Sequence, residues 1–305
     1  MTRESAARTA LLGLSVGDAF GSMVDSFGLQ FAHRASKRLV STKRPWRWTD
    51  DTAMSVSIVE ALERDGRIDP DTLAAAFARR FAREPDGGYG AGAYALLSRV
   101  SMGAPWREEA SRLFRGKGSF GNGAAMRSAP IGAFFCHDLE RVREEALRSA
   151  EPTHAHPDGA AGAVAIAIAA ALASTRAVDR DAMIAEVARW TPDGPTRTRL
   201  LRAATLGLAF DVQLAGEELG TGSNVTSQDT VPFAVWVAVR HLDSFEEALW
   251  IGTAHDGLDL TTNLHAIFAV DRDTIGAMVG GIVACATGLD GIPLLWREAT
   301  EPVPS

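Results

Sequence analysis

The stretch Trp48-Thr49-Asp50-Asp51-Thr52 leads directly into an apolar run at residues 53–62. Within that run Met54, Ile58 and Leu62 recur at helical spacing and fall on one face, which predicts a helix buried along that face. Aspartate and threonine are favourable at helix starts, where they cap free backbone N–H groups and complement the helix dipole. The stretch therefore predicts a strongly capped helix that packs on the core.

The same helical spacing recurs through most of the chain, whereas alternating β-branched runs are scarce. No fixed-period repeat and no linker composition divides the sequence, so we predict one compact all-α domain over residues 1–305. The abundance of glycine and alanine predicts close helix–helix approach. Besides 53–62, helices are predicted over residues 5–20, 71–81, 92–100, 104–115, 141–150, 158–174, 179–190, 195–210, 233–242, 245–254 and 274–287.

Two segments between the predicted helices have distinctive compositions. Residues 211–231 are irregular and rich in glycine, serine and threonine, which is typical of either a surface connection or a lid over a site. Residues 33–47 carry six lysine and arginine side chains. We favour a solvated loop there, with a basic rim that attracts an anionic substrate as the alternative.

The overall composition limits the class of protein. A net charge of −7 argues against nucleic-acid binding, because phosphate contacts need clustered lysine and arginine. The polar N-terminus and the break at Gly17-Asp18 argue against a secretory signal or membrane span there. Cys136 and Cys285 lie in apolar runs without metal-type spacing, which indicates core thiols. We therefore expect a cytoplasmic protein with no nucleic-acid and no membrane partner.

A second acidic helix start, Asp271-Arg272-Asp273-Thr274, precedes another apolar run. Ordinary capping explains either start alone. Together, however, the two starts supply four carboxylates and threonine hydroxyls, which is more than capping requires. Such hard oxygen ligands are those that Mg²⁺ and Mn²⁺ prefer. If the two starts face one another, they predict a site for a pair of cations, since the clustered negative charge would otherwise repel itself.

Three further motifs have chemical potential. Ser119-Phe120-Gly121-Asn122-Gly123 precedes a helix-like run with Met126 and Arg127, and a glycine-rich turn before a helix favours an anion, although tight turns share this composition. Thr153-His154 precedes another helix start, and we expect substrate contact rather than metal ligation there. Gly17-Asp18-Ala19-Phe20-Gly21 ends the first predicted helix, where Asp18 alone is typical of a surface acid.

In their order and separation these motifs resemble the ADP-ribosylglycohydrolase family over residues 7–304. The resemblance implies an all-α fold with two Mg²⁺ ions at its centre, for which Mn²⁺ is a plausible substitute. It implies a diphosphate held by the turn, with Met126, Arg127 and His154 nearby. The implied metal ligands are Thr49, Asp50, Asp51, Asp271, Asp273 and Thr274, and the implied diphosphate contacts in the turn are Ser119, Gly121, Asn122 and Gly123.

The chain departs from the family pattern in four places. Asp25 stands where many relatives carry a glutamate that gates or assists the site, and Arg272 stands where a small residue or threonine is common. Ala269-Val270 replaces the usual Gly-Gly turn. The stretch 255–268 is longer than the usual link and contains Asp256, Asp259 and His265. Arg272 either competes with a cation or points away along the helix.

The resemblance implies hydrolysis of the glycosidic bond between ADP-ribose and a modified protein side chain, with arginine as the expected acceptor. A carboxylate from Asp50, Asp51 or Asp25 would take a proton from the attacking water. One alternative is hydrolysis of a small ADP-ribose conjugate or another N- or O-glycoside. A second alternative is a catalytically weakened ADP-ribose-binding or structural protein, which Arg272 would favour.

Overall fold

The computed structural model describes residues 2–258 and 270–304. Within them sixteen α-helices surround one large hydrophobic core and no β-strand forms, which confirms the predicted all-α fold. The helices are α1 (Arg3–Asp25), α2 (Phe31–Ser36), α3 (Asp50–Asp65), α4 (Pro70–Arg83), α5 (Ala91–Ser101), α6 (Trp106–Gly116), α7 (Ala129–Phe134), α8 (Leu139–Ala150), α9 (Pro157–Thr175), α10 (Arg180–Trp190), α11 (Pro195–Leu206), α12 (Val212–Leu219), α13 (Ser227–Arg240), α14 (Phe245–Leu258), α15 (Arg272–Thr287) and α16 (Leu294–Ala299).

The antiparallel pair of α1 and α15 forms the centre of the fold. Gly13, Gly17 and Gly21 recur every fourth residue on α1 and meet the α15 backbone along one stripe. A Cβ added to Gly17 would overlap the carbonyl oxygen of Gly276, and one added to Gly21 would overlap that of Arg272. The close approach predicted from the glycine content is therefore realised here, and it places the C-terminal part of α1 beside the start of α15.

The first helix is longer than predicted, and this changes the position of Asp18. α1 continues to Asp25 instead of ending near Phe20. Asp18 is consequently a fully buried residue inside the helix, and the prediction of a surface acid at its end is wrong. Ala19, Phe20 and Val24 are also buried, so apolar contacts carry the helix past the glycine at position 21.

Several short elements escaped the sequence analysis. α2, α7, α12 and α16 have six to eight residues each, too few for a periodic signal to stand out. The helix expected directly after the glycine-rich turn is absent, because residues 124–127 form turns and α7 begins only at Ala129. Pro232 lies inside α13 and cannot donate to the carbonyl of Gln228, which instead accepts from Arg199 at 3.2 Å.

The helix α9 consists mostly of alanine and larger aliphatic residues. Among the described residues it alone is long and apolar enough to cross a membrane by length and composition. In this protein 83% of its most apolar 18-residue stretch is buried, and it packs against α7 and α8, as a core helix does.

Both cysteines, Cys136 and Cys285, are free and only partly buried, so they are less enclosed than predicted.

Candidate active site

The acidic start of α3 is capped by a side chain from another helix. The Asp18 carboxylate accepts hydrogen bonds from the backbone N–H groups of Thr49 and Thr52, at 2.9 and 3.1 Å, and from both threonine hydroxyls. Asp18 therefore satisfies donors that a helix start leaves free. As a result Asp50 and Asp51 are not needed as caps.

Asp50 and Asp51 are both buried in this arrangement. One carboxylate oxygen of Asp51 lies 3.0 Å from the Thr49 hydroxyl, whose single proton it shares with Asp18. The other, Oδ1, is buried and finds no hydrogen-bond partner in the described part of the chain. A buried anionic oxygen without a donor is costly, so this atom is suited to a cation.

The second acidic start lies opposite the first. Asp271 Oδ2 accepts from the Asn122 side chain at 2.6 Å, and Asp273 Oδ1 accepts from the backbone N–H of Thr274 at 2.9 Å. α3 and α15 are in contact, and the charges of Asp271 and Asp273 act directly on Asp51. The predicted juxtaposition of the two starts is therefore present in the fold.

Burial and mutual repulsion dominate the electrostatics of this acidic cluster, which we define as Asp18, Asp50, Asp51, Asp271 and Asp273. Burial, and next the charge of Asp273, raise the pKa of Asp18 to about 7 and that of Asp50 to about 8. The pKa values of Asp51 and Asp271 are raised well above their usual range for the same reasons. The site favours added positive charge, either protons or cations.

The cluster is nevertheless not a ready-made ligand shell. No three carboxylate, imidazole or thiolate groups in residues 2–258 and 270–304 are arranged to enclose an ion. The hydrogen bonds just described explain this, because Asp18, Asp271 and Asp273 are engaged by protein donors. The oxygen donors and the unpartnered Asp51 oxygen are of the kind that Mg²⁺ prefers.

Arg272 is directed from the start of α15 to its neighbours on other helices. Its guanidinium donates to both oxygens of Asp256 at 2.8 and 2.6 Å, and to the carbonyl of Thr253. The group also stacks on Phe31, 4.3 Å from the ring centroid, and its Nε lies 3.1 Å from Asp25 Oδ1. Asp25, the expected gating residue, is therefore ion-paired. Asp259 and His265 of the long link lie outside the described residues.

The glycine-rich turn and His154 come together as predicted. A Cβ at Gly121 would lie 3.5 Å from His154 Nε2, and one at Gly123 would lie 3.2 Å from His154 Cε1. Burial lowers the pKa of His154 to about 3, so the imidazole is neutral near pH 7. The Asn122 side chain turns toward Asp271 and Thr230, linking the turn to the acidic cluster.

Arg127 lies beneath the turn rather than on its open side. It is fully buried and donates to the carbonyls of Gly123 and Ser149 and to the Thr153 hydroxyl, all within 2.9 Å. Thr153 Oγ1 is in turn 2.7 Å from His154 Nδ1. Arg127 is thus a positioning residue for the turn and for His154, and its burial disfavours the substrate contact predicted from the sequence. Met126 and Ser119 are also buried beside the turn.

Two features of the site were missed by the sequence analysis. The loop of residues 84–90 lies over the start of α3, since a Cβ at Gly88 would be 3.0 Å from Thr49 and 3.3 Å from Asp50 Oδ1. Beside the turn, the half-exposed ring of Phe114 lies 5.5 Å from the ring of Phe120. Phe114 has a φ of +51°, which is uncommon for an aromatic residue and was not detectable from the sequence.

The segment at 211–231 contributes a wall of the site. The prediction that this segment is irregular is wrong for much of its length, because it contains α12 and the first residues of α13. Its loop at residues 220–226 forms hydrogen bonds with the glycine-rich turn and with the start of α15. The Val225 carbonyl accepts from the Asn122 backbone N–H at 3.2 Å, and the Thr221 carbonyl accepts from that of Asp271 at 2.9 Å. By contrast, Arg38 and Arg47 of the basic segment form exposed ion pairs with glutamates, as in a solvated loop.

A cleft of about 390 Å³ adjoins His154 on the protein surface. Trp106, Glu151 and His156 line it, whereas no member of the acidic cluster does. The chemistry of the site is therefore assigned to the acidic cluster and the turn, not to this cleft.

Comparisons with known proteins agree with this geometry. A family model described as ADP-ribosylglycohydrolase matches residues 1–304. The human ADP-ribosylhydrolase ARH3 is 30% identical over 278 residues, which span 83% of this chain and 74% of the human protein. The ADP-ribosylarginine hydrolase Tri1 of Pseudomonas putida is 25% identical over 96% of this chain and 73% of that protein. A solved ADP-ribosylglycohydrolase-related protein complex has a TM-score of 0.66 at 22% identity, over 98% of this chain and 93% of that chain, which supports the fold.

Proposed function

The chain belongs to the ADP-ribosylglycohydrolase family, a family of glycosidase-type hydrolases, and from this membership we propose that it is a magnesium-dependent enzyme that removes ADP-ribose from modified arginine side chains of proteins. The observation that carries the proposal is the convergence of the acidic cluster with the glycine-rich turn through Asn122 and Asp271. The arginine linkage is supported by the similarity to the ADP-ribosylarginine hydrolase of Pseudomonas putida.

Thr49, Asp50 and Asp51 from α3, with Asp271, Asp273 and Thr274 from α15, would hold two Mg²⁺ ions. When bound, the ions would supply Lewis acidity beside the scissile bond and would orient the ribose hydroxyls. The unpartnered oxygen of Asp51 and the crowding of the carboxylates support this assignment.

The chain's own residues would bind the rest of the substrate. The turn at residues 119–123 would receive the diphosphate, and the neutral His154 below it would act as a hydrogen-bond partner. The half-exposed ring of Phe114, beside the partly buried ring of Phe120, offers a surface on which the adenine could stack. Polar and apolar parts of ADP-ribose thus find matching surfaces within one wall of the site.

Hydrolysis requires a base and stabilisation of the reacting sugar. We assign the base to Asp50, because Asp51 accepts from Thr49 and Asp25 is paired with Arg272. Water oxygen would bond to the ribose C1, its proton would pass to Asp50, and the bond to the guanidinium nitrogen would break. The neighbouring carboxylates would stabilise the positive charge that develops on the sugar, as in other glycoside hydrolyses. The nitrogen would recover a proton on leaving.

The direct test is release of ADP-ribose from an arginine-modified protein in the presence of Mg²⁺. We expect Asp50→Asn and Asp273→Asn to lower turnover by about 10²-fold or more, because each loses a charged oxygen ligand or base. Asp138→Asn is the matched control, since this exposed carboxylate caps α8 far along the chain and asparagine caps equally well. Full turnover in both cluster variants would contradict the assignment.

The same assay separates the alternatives. The wild-type protein is assayed under one set of conditions with arginine-linked, serine-linked and small-molecule ADP-ribose conjugates, and the three turnover rates are compared. Turnover restricted to a linkage other than arginine would refute the proposed acceptor while retaining the enzyme class. Tight ADP-ribose binding with no turnover of any conjugate would identify a binding protein.

A further inference from the structure

We infer that Arg272 is a latch that holds Asp25 away from the cation site, so that Asp25 binds a cation only after it has left Arg272. The inference rests on the proposed cation site. It concerns a positioning residue, because Arg272 acts on the site through Asp25. It also gives a reason for the unusual arginine between two acidic residues of this helix start.

The guanidinium of Arg272 is held in place independently of Asp25. Its side chain is 1% exposed, and Asp256 accepts from both terminal nitrogens. Phe31 covers its face and Thr253 accepts from one nitrogen. Because these contacts come from α2 and α14, Arg272 cannot follow Asp25 toward the acidic cluster without breaking them.

Asp25 is the more exposed partner of the ion pair. It is the last residue of α1, and its side chain is 50% exposed. Within residues 2–258 and 270–304, its carboxylate is paired with Arg272, whose Nε lies 3.1 Å from Asp25 Oδ1. Asp273 is close enough to act on the charge of Asp25, so the carboxylate stands at the edge of the acidic cluster. Moving onto a cation would cost it the pair with Arg272.

The experiment measures Mn²⁺ binding to the full chain, by electron paramagnetic resonance of the free ion, at one pH. Removing Arg272 alone would strand the buried Asp256, so the comparison uses an Asp256→Asn background. There, Arg272→Met is expected to raise Mn²⁺ affinity about tenfold, and adding Asp25→Asn is expected to cancel most of this gain. The gain in Mn²⁺ affinity that remains when Asp25→Asn is present measures the effect of removing the positive charge of Arg272 alone.

A second variant needs no change in the buried pair. Asp25→Asn in the otherwise native chain is expected to change Mn²⁺ affinity by less than about twofold, because the latch already keeps that carboxylate from the ion. A loss of tenfold or more would show that Asp25 is a ligand in the native protein and would overturn the latch. Thermal unfolding of every variant verifies that it is folded.

The outcomes distinguish a failure of the latch from a failure of the cation site. If the native chain binds Mn²⁺ and Arg272→Met raises the Mn²⁺ affinity equally with and without Asp25→Asn, the latch is overturned and the cation site is retained. No saturable Mn²⁺ binding by the native chain would overturn the cation site and the latch together. A gain that depends on Asp25 supports both.

Discussion

The two acidic helix starts have nearly the same sequence pattern but different surroundings. The start of α3 receives its cap from Asp18, a residue of α1, which leaves Asp50 and Asp51 available and one Asp51 oxygen without a partner. The start of α15 contains Arg272, which is tied to Asp256 and Asp25. Equal local motifs therefore differ in charge balance, because helices distant in sequence supply the partners.

If the proposed cation site exists, this difference indicates which half of it would bind a cation first. At the first start, no salt bridge joins Asp50 or Asp51 to a cationic side chain in the described part of the chain, and Arg127, whose charge acts on Asp50, donates its hydrogen bonds elsewhere. At the second start, Asn122 already occupies an oxygen of Asp271. We expect cations to bind first at the α3 side and to recruit the α15 carboxylates by rotation.

The largest expected effect comes from forcing α1 and α15 apart. Gly17→Ala inserts a methyl group onto the carbonyl of Gly276, where both neighbours are backbone and cannot move aside cheaply. We expect a loss of about 3 kcal/mol in the free energy of unfolding, measured by urea denaturation. Gly90→Ala is the control, because an added Cβ there meets no atom within 4 Å. Equal stability of the two variants would contradict the role of the α1–α15 contact.

A smaller effect is expected from pH. Because the pKa of Asp18 is raised to about 7 and that of Asp50 to about 8, the folded cation-free protein binds protons more tightly than the unfolded chain. Its stability should therefore fall as the pH rises from about 4 to about 8. Urea midpoints in chelator and in saturating Mg²⁺ measure this, and Mg²⁺ should recover most of the loss at high pH.

The source of that pH dependence can be checked with one substitution. Asp273 raises the pKa values of both Asp18 and Asp50, so Asp273→Asn should flatten the decline, whereas Asp138→Asn should leave it unchanged. A cation-free protein that becomes more stable on going from about pH 5 to about pH 8 would refute this account of the cluster.

The smallest effect distinguishes the borrowed cap of the first start from an ordinary cap. Asp18→Asn turns an amide N–H₂ toward donors on Thr49 and Thr52, so at least one buried donor loses its acceptor. We expect a loss of about 1–2 kcal/mol in unfolding free energy, because relief of charge repulsion offsets part of the cost. Asp138→Asn, at an ordinary exposed cap, should stay within about 0.5 kcal/mol. Similar losses at both positions would remove the distinction.

Much of the fold and part of the site could be predicted from local patterns. The long helices were recognisable because their apolar residues recur over many turns, as in α9 and α15. The proximity of His154 to the turn was implied by the family resemblance, and the facing of the two acidic starts was the condition on which the predicted cation site depended. Residue roles were less accessible: Arg127 was placed against substrate, yet it is buried among backbone acceptors.

The helical character of the chain and the carboxylates at its helix starts can be predicted from the sequence, because periodicity and capping depend on neighbours within a turn or two. The groups that each charged side chain faces depend on how the helices pack. Asp18 caps α3 because the glycines on either side of it, Gly17 and Gly21, let α1 pack closely against α15. Arg272 pairs with Asp25 and Asp256 because α1, α2 and α14 surround its side chain. Charge compensation in a buried site is set by contacts between residues far apart in the chain, and no local pattern records them.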